Sequence, residues 1–495
     1  MDTAARTLST GIPGLDDVLA GGLTRNRVYL VEGVPGSGKT TLALQFLLEG
    51  KARGESTLYI TLSESSEELN SIAESHGWDL DGIQLRELSP SAETLRPDDQ
   101  YTLFHPSEVE LGETTRAILE EVERTESTRI VFDSLAELRL IAGNSLRYRR
   151  QVLALKQFFA GRQCTVLWLD DLHSTDRDLQ VQSIAHGVIA LEQLHPDYGA
   201  ERRRLRIIKY RGVKFRGGYH DYLIRRGGLQ VFPRLVASET RTRLKKERFA
   251  SGIAELDQLM GGGIERGTST LIAGAAGTGK SSIAAQFVHA SASRGQKALM
   301  LIFDEATNTL LDRASELQIG LRDHVDRGHV AVMQIDPAEL SPGELVDTIR
   351  KTVTEDGVSM VVIDSLNGFL NAMPGERHLL IQLHELLMFL GQRGVATLLI
   401  SAQHGLIGSN MRAPVDVSYL ADAVVLMRYF EAEGRVRQAI SILKKRGGAH
   451  ERTIREFSMA GGRLAVGAPL LNFRGILTGV PVPVAPAENR DDATS

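Results

Sequence analysis

Cysteine is nearly missing from this chain. Cys164 is the only one in 495 residues, which excludes an intramolecular disulfide and any zinc site built on cysteine, and fits a reducing compartment. Charge of one sign is missing as well. The 57 Lys and Arg against 62 Asp and Glu leave a formal net charge of −5, which argues against a generally basic nucleic-acid binder and leaves only a local basic channel for that role. Aromatic residues make up 5%. No uninterrupted apolar stretch approaches the roughly 20 residues that span a bilayer, and Met1 to Arg6 has no signal-peptide apolar core. The expectation is a soluble, cytoplasmic protein without membrane contact, long enough for two or more domains.

What is present is a phosphate-binding loop, twice. Gly33-Val34-Pro35-Gly36-Ser37-Gly38-Lys39-Thr40 and Gly274-Ala275-Ala276-Gly277-Thr278-Gly279-Lys280-Ser281 both fit G-x-x-x-x-G-K-[ST]. Each follows an apolar run, Val28 to Glu32 and Ser269 to Ala273, and precedes a helical pattern. Glycines let backbone N–H groups curl around phosphate oxygens, and the helix N-terminus adds its dipole. Lys39 and Lys280 are expected to reach the β- and γ-phosphates, with Thr40 and Ser281 on Mg²⁺ and Thr41 and Ser282 beside them in the nucleotide site.

The loops belong to an internal duplication. Lys39 and Lys280 lie 241 residues apart, and at that offset residues 10–47 and 251–288 match at 15 of 38 positions. The likeness continues with small shifts: Arg129 to Leu135 matches Met360 to Leu366, and Ile207 to Gly212 matches Ile442 to Gly447. The expected organisation is a first domain over 1–237, a basic linker over 238–250 (Arg241, Arg243, Lys245, Lys246, Arg248), a second domain over 251–478, and a disordered Pro- and Ala-rich tail over 479–495. The linker reads as a solvated connection or a nucleic-acid contact. In each half, apolar strands such as Leu58 to Leu62, Val166 to Leu169 and Ala396 to Ile400 alternate with amphipathic helices such as Glu67 to His76, which implies a mainly parallel sheet covered on both faces. Leu205 to Tyr210, Tyr222 to Arg226 and Leu229 to Phe232, separated by Gly-rich turns, suggest an antiparallel extension closed by Pro233.

Asp133 and Asp364 each end an apolar strand behind a phosphate loop, the Walker B arrangement, where a carboxylate can hold Mg²⁺ next to the loop hydroxyl. The alternative is an Asp that caps the next turn. Hydrolysis also needs a carboxylate to orient water. Glu64, after Ser63, and the pair Asp304 and Glu305 occupy that place; the alternative is an acid favoured by a helix dipole. Lys209 with Arg211, and Lys444 with Arg446, share a strand face just before a Gly turn. They are ordinary surface charges or cations that reach the γ-phosphate of a neighbouring subunit.

Together these residues resemble the KaiC family of the RecA superfamily of ATPases, from about Thr10 to about Gly479. The openings Thr10 to Asp16 and Ser251 to Asp257, the stretch Ser75 to Leu80 and the Lys-x-Arg-Gly strands are typical of that family. The resemblance implies an α/β fold of two tandem RecA-like domains, each a mainly parallel sheet flanked by helices with a C-terminal antiparallel extension. It implies a double-ringed homohexamer with ATP between subunits, and Lys209, Arg211, Lys444 and Arg446 on the nucleotide of the adjacent protomer. It further implies slow ATP hydrolysis in the first domain and serine/threonine autokinase and phosphatase chemistry in the second. The leading reading is a hexameric ATPase that uses ATP turnover and phosphorylation to change its ring conformation for signalling partners. The family's acidic pair maps onto Ser63 and Glu64 and onto Asp304 and Glu305, so water activation in the first half falls to Glu64 alone. Its adjacent Ser-Thr phosphoacceptors map onto Ser418 and Tyr419, which keeps Ser418 as an acceptor or an ordinary strand-entry serine and puts Tyr where the family has Thr. A homologue without a clock role fits as well as a timekeeper.

Two other functions compete. A RecA-type motor on DNA would use Arg147, Arg149, Arg150 and the loop Gly405 to Pro414, against a negative net charge and few stacking residues near those loops. A nucleotide-gated scaffold would bind ATP without turnover.

Overall fold

The computed structural model describes residues 7–88, 106–171, 179–195, 199–237, 246–371, 379–403, 418–478 and 481–484. The chain divides into two compact units, Met1–Arg234 and Leu235–Ser495. Residues 238–245 of the basic linker, the loop 405–414 and the tail from 485 lie outside the described residues.

Each unit is built on a nine-stranded sheet. In the first unit the strands run, edge to edge, Gly228–Phe232, His220–Arg225, Arg202–Tyr210, Gly187–Leu194, Val28–Gly33, Thr165–Asp171, Arg129–Asp133, Thr57–Thr61 and Gln84–Glu87. From Gly187–Leu194 to Gln84–Glu87 every pairing is parallel. The other three strands pair antiparallel. The second unit repeats the plan: Val330–Gln334, Lys297–Ile302, Val358–Asp364, Ala396–Ala402, Ser269–Gly274 and Ala423–Ala432 are parallel, then Arg435–Lys445, Arg455–Ser458 and Ala465–Pro469 continue antiparallel. This is the expected doubly covered α/β architecture with an antiparallel extension.

The central strands are apolar along their whole length because helices cover both faces. Val28–Gly33 and Ser269–Gly274 are buried at every residue. One face of the first sheet packs Tyr29, Val31, Phe46 and Leu69, the other Leu30, Ile60, Phe132 and Trp168. Helix ends follow their local chemistry. Ser65 and Glu68 form a capping box at the start of Ser66–His76, and Gly77 closes that helix at φ 76°. Pro342 opens Pro342–Glu355, where Ser341 accepts from the Glu344 N–H.

At the seam, Leu235 and Ala237 pack into the second unit's core, and the Ala237 N–H donates to Glu385 at 3.1 Å. Within the stretch from 479, Val482–Pro483 pairs antiparallel with Phe473–Arg474. Among the described residues no helix is long and apolar enough to cross a membrane.

Candidate active sites

Both phosphate loops leave a buried strand and enter a helix, Lys39–Ala52 or Lys280–Ser293. The turn requires left-handed backbone. Gly36 and Gly38 have φ of 80° and 91°, Gly277 and Gly279 78° and 94°, conformations that glycine adopts without steric cost. Each loop is also supported from outside by the antiparallel extension. A Cβ on Gly38 would stand 2.5 Å from Ile224 Cδ1, and one on Gly279 2.7 Å from Phe457 Cε1. The Tyr222 hydroxyl donates to the Ser37 carbonyl at 2.6 Å.

The lysines fold back over their loops. Lys39 Nζ donates to the Gly33 and Val34 carbonyls at 3.0 and 3.2 Å, and Lys280 Nζ to the Ala275 carbonyl at 2.6 Å. Ser37 and Thr278 are buried inside their loops, with Thr278 Oγ1 donating to the Ala275 carbonyl at 2.9 Å. Thr41 and Ser282 are buried on the first helical turn, while Thr40 and Ser281 are half-buried at the helix start.

Asp133 ends the strand beside Thr57–Thr61 and Asp364 the strand beside Lys297–Ile302, in equivalent registers: Thr61 lies opposite Asp133 and Ile302 opposite Asp364. A cis peptide follows each of them. Burial pushes the Asp133 carboxyl up, against a hydrogen bond from the Tyr59 hydroxyl at 2.5 Å. Burial likewise lifts Asp364 to about 6, with the Ser281 hydroxyl lowering it and the Glu305 charge raising it. Asp364 Oδ2 is buried without a hydrogen-bond partner.

The water-orienting candidates differ between the units. Glu64 is half-buried, 3.4 Å from Thr40 Oγ1, and its Oε2 has no partner. Burial, and then the charge of Asp133, lift its carboxyl to about 7. Glu305 instead lies in a bidentate pair with Arg313, at 2.6 and 2.8 Å. Asp304 is exposed and accepts from the Ser365 hydroxyl at 2.5 Å. The adjacent acids of the second half therefore have separate partners.

Lys209 donates to the Gln182 and Ser183 carbonyls at 2.7 and 3.0 Å, and Arg211 to Ser183 at 2.8 Å. Lys444 donates to the Ser418 and Ala421 carbonyls at 2.9 and 2.8 Å, and Arg446 to the Tyr419 carbonyl at 2.9 Å. In both units the cation pair thus holds the segment that leads into the strand beside the phosphate loop. Arg147, Arg149 and Arg150 lie on the helix Ser145–Ala160.

The sequence reading did not name four residues at these sites. Asp171 pairs with Lys39 at 2.7 Å. Tyr59, Arg313 and Ser365 hold carboxylates as described above. Asp171 carried a signal, since it ends the strand next to the phosphate-loop strand. Arg313 had none, because only the folded helix brings it back to Glu305.

A family model described as "ATPase: KaiC" matches residues 8–236 and again 249–469. The chain belongs to the KaiC family of ATPases. Full-length relatives carry the same name at modest identity. A protein named circadian clock protein KaiC3, from Synechocystis sp., is 28% identical over 97% of this chain and 95% of its own length. Circadian clock oscillator proteins KaiC from Thermostichus vulcanus and Synechococcus elongatus are 26% and 25% identical, over 98% and 99% of this chain and 94% of each relative. The duplicated sheet is the KaiC ATPase domain written twice, and both copies carry the nucleotide-binding loop of that family.

Proposed function

We propose that both units bind ATP with Mg²⁺ and that the first hydrolyses it through Glu64. The observation that carries this reading is the place of Glu64, half-buried with Oε1 3.4 Å from Thr40 Oγ1 at the start of the phosphate-loop helix and with Oε2 unpartnered. A carboxylate there, pushed up to about 7 by burial and by the Asp133 charge, can accept a proton from water at neutral pH. The roles follow from position. Lys39 and Lys280 would leave their loop carbonyls for the β- and γ-phosphates. Gly33, Gly36, Ser37 and Gly38, with Gly274, Gly277, Thr278 and Gly279, would offer backbone N–H groups to them. Thr40 with Asp133, and Ser281 with Asp364, would hold Mg²⁺, which would neutralise charge on the phosphate oxygens. The buried, unpartnered Asp364 Oδ2 fits a cation. Mg²⁺ is commonly held by one or two protein ligands together with phosphate oxygens.

We further infer a homohexamer in which Lys209, Arg211, Lys444 and Arg446 face the nucleotide of the next subunit, and in which ring conformation signals to protein partners in the cytoplasm. Serine autokinase activity in the second unit is supported by one contact: Lys444, a cation expected near the nucleotide, binds the Ser418 backbone at 2.9 Å.

The test is purified protein with γ-labelled ATP and Mg²⁺, read for phosphate release and for phosphate bound to protein. Release that Glu64→Gln removes from a Lys280→Ala chain is the expected result, and release from that chain unaffected by Glu64→Gln would sink the assignment. Label mapped to Ser418 would establish the autokinase; release without label would discard it.

A further inference from the structure

The second unit contains a guanidinium that the first lacks. Arg313 lies on the helix Thr307–Glu316, and its two terminal nitrogens meet both oxygens of Glu305. The offset that aligns Glu64 with Glu305 aligns Ile72 with Arg313. Ile72 packs against the first unit's apolar core. So Glu64 has no arginine from its own helix, while Glu305 is held in a planar fork. That fork lies beside the Walker B strand end: the Phe303 N–H donates to the Asp364 carbonyl at 2.8 Å, and Asp304, next to Glu305, accepts from the Ser365 hydroxyl.

Hydrolysis asks this carboxylate for an oxygen free to take a proton. Water adds to the γ-phosphorus, the bond to the β–γ bridging oxygen breaks, ADP leaves with that oxygen, and a proton from the water needs an acceptor. A bidentate arginine pair fixes both the orientation and the plane of the carboxylate. Asp304 is occupied too, by Ser365. Gly368 leaves the space: a Cβ there would stand 2.6 Å from Phe303 Cβ and 3.1 Å from Asp304 Oδ1. Arg313 reaches the site through Glu305.

We propose that Arg313 is a positioning residue that restrains Glu305 and holds hydrolysis in the second unit below its unrestrained rate, so that bound ATP persists there. This rests on the reading of the second unit as a nucleotide site. It predicts that the isoleucine of the first unit, placed at this position, releases the base.

The experiment uses the full chain carrying Lys39→Ala, so that phosphate release reports the second unit. Arg313→Ile should raise kcat about tenfold with KM unchanged, a fraction of what a general base contributes. Arg313→Lys, which keeps a cation but not the fork, should give a smaller rise of about threefold. Labelled ATP binding is measured alongside. An unchanged or lower kcat in Arg313→Ile that still binds ATP overturns the restraint. Should the isoleucine variant fail to fold, Arg313→Lys decides, and no rise there overturns it equally. The underlying reading fails separately: if adding Lys280→Ala to Lys39→Ala leaves ATP binding intact, the second unit is not a nucleotide site and the restraint falls with it.

Discussion

Around the first phosphate loop the sheet is charged. Glu32 and Gly33 lie opposite Asp170 and Asp171 on the next strand. Gln182 donates to both oxygens of Glu32, Arg139 pairs with Asp170 at 2.7 Å, and Asp171 pairs with Lys39. Burial lifts Asp170 to about 6, with Arg139 pulling it down and Asp171 and Glu32 pushing it up. Around the second loop the same ladder positions hold Ala273, Gly274, Ser401 and Ala402. There the network is neutral: Asn367 accepts from Ser401 Oγ at 3.1 Å and from the Ala402 N–H at 2.9 Å. The groups that would touch phosphate are the same in both units, and the groups that set the electrostatic background are not. Buried charges interact strongly through a weakly polar interior and are costly when unpaired. A duplicated scaffold with one charged and one neutral rim can therefore run two different rates on the same nucleotide.

The comparison breaks most sharply at the lysines. Lys39→Ala should abolish nucleotide binding in the first unit and spare the second, and Lys280→Ala should do the reverse, each reducing turnover in its own unit by a hundredfold or more, on the order of an oxyanion-type donor. Labelled ATP stoichiometry in each variant is the check; equal losses in both units would mean that the sites act as one.

Glu64→Gln sharpens it further. First-unit hydrolysis, measured in a Lys280→Ala chain, should fall by on the order of 10²–10⁴. The pH profile gives an independent reading. Burial and the Asp133 charge push the Glu64 carboxyl up to about 7, and kcat/KM is the parameter that reads a free-enzyme group. First-unit kcat/KM should rise with pH through about 7, and that limb should be absent from Glu64→Gln. A profile flat between pH 6 and 8 in the parent would contradict Glu64 as the acceptor.

Asp171→Ala imports the second unit's residue into the first. Nucleotide must displace Asp171 from Lys39, and a partly exposed ion pair is worth about 1 kcal/mol or less. ATP should bind the first unit about fivefold more tightly, by titration in a Lys280→Ala background. Weaker binding would mean that Asp171 helps to hold the ligand.

The smallest effect is expected at Tyr59→Phe. Asp133 loses the hydroxyl that donates to its Oδ2, and a buried carboxylate left short of a partner costs about 1–3 kcal/mol. A first-unit melting transition lowered by a few degrees is the expected readout, with the second unit's transition unmoved.

Much of this was legible beforehand because it is written in local patterns. The loops are contiguous motifs, and Asp133 and Asp364 follow from apolar strands of the right length. The parallel core was readable from strands apolar on both faces, and Leu205 to Phe232 from Gly-rich turns. Arg313 was not legible, since its partner is eight residues away across a loop-to-helix junction and no motif prescribes it. Asp171 is hidden because the apolar run that marks its strand ends at Leu169, while the ladder extends to Asp171 opposite Gly33. Tyr59 lay inside a strand counted as apolar, and only the sheet order puts it beside Asp133. In each case the missing information was a pairing between elements, which sequence spacing does not encode.

The glycines of the phosphate loops have one more consequence. A Cβ on Gly38 would meet Ile224 as well as a left-handed backbone, and Gly279 is met in the same way by Phe457 and by Met459, whose Sδ would lie 2.9 Å from a Cβ. The motif is thus half of a mould whose other half comes from the last strands of each unit. Transplanted alone into another protein, the loop would carry its glycines but not the wall that gives them their shape, so it is not a portable part.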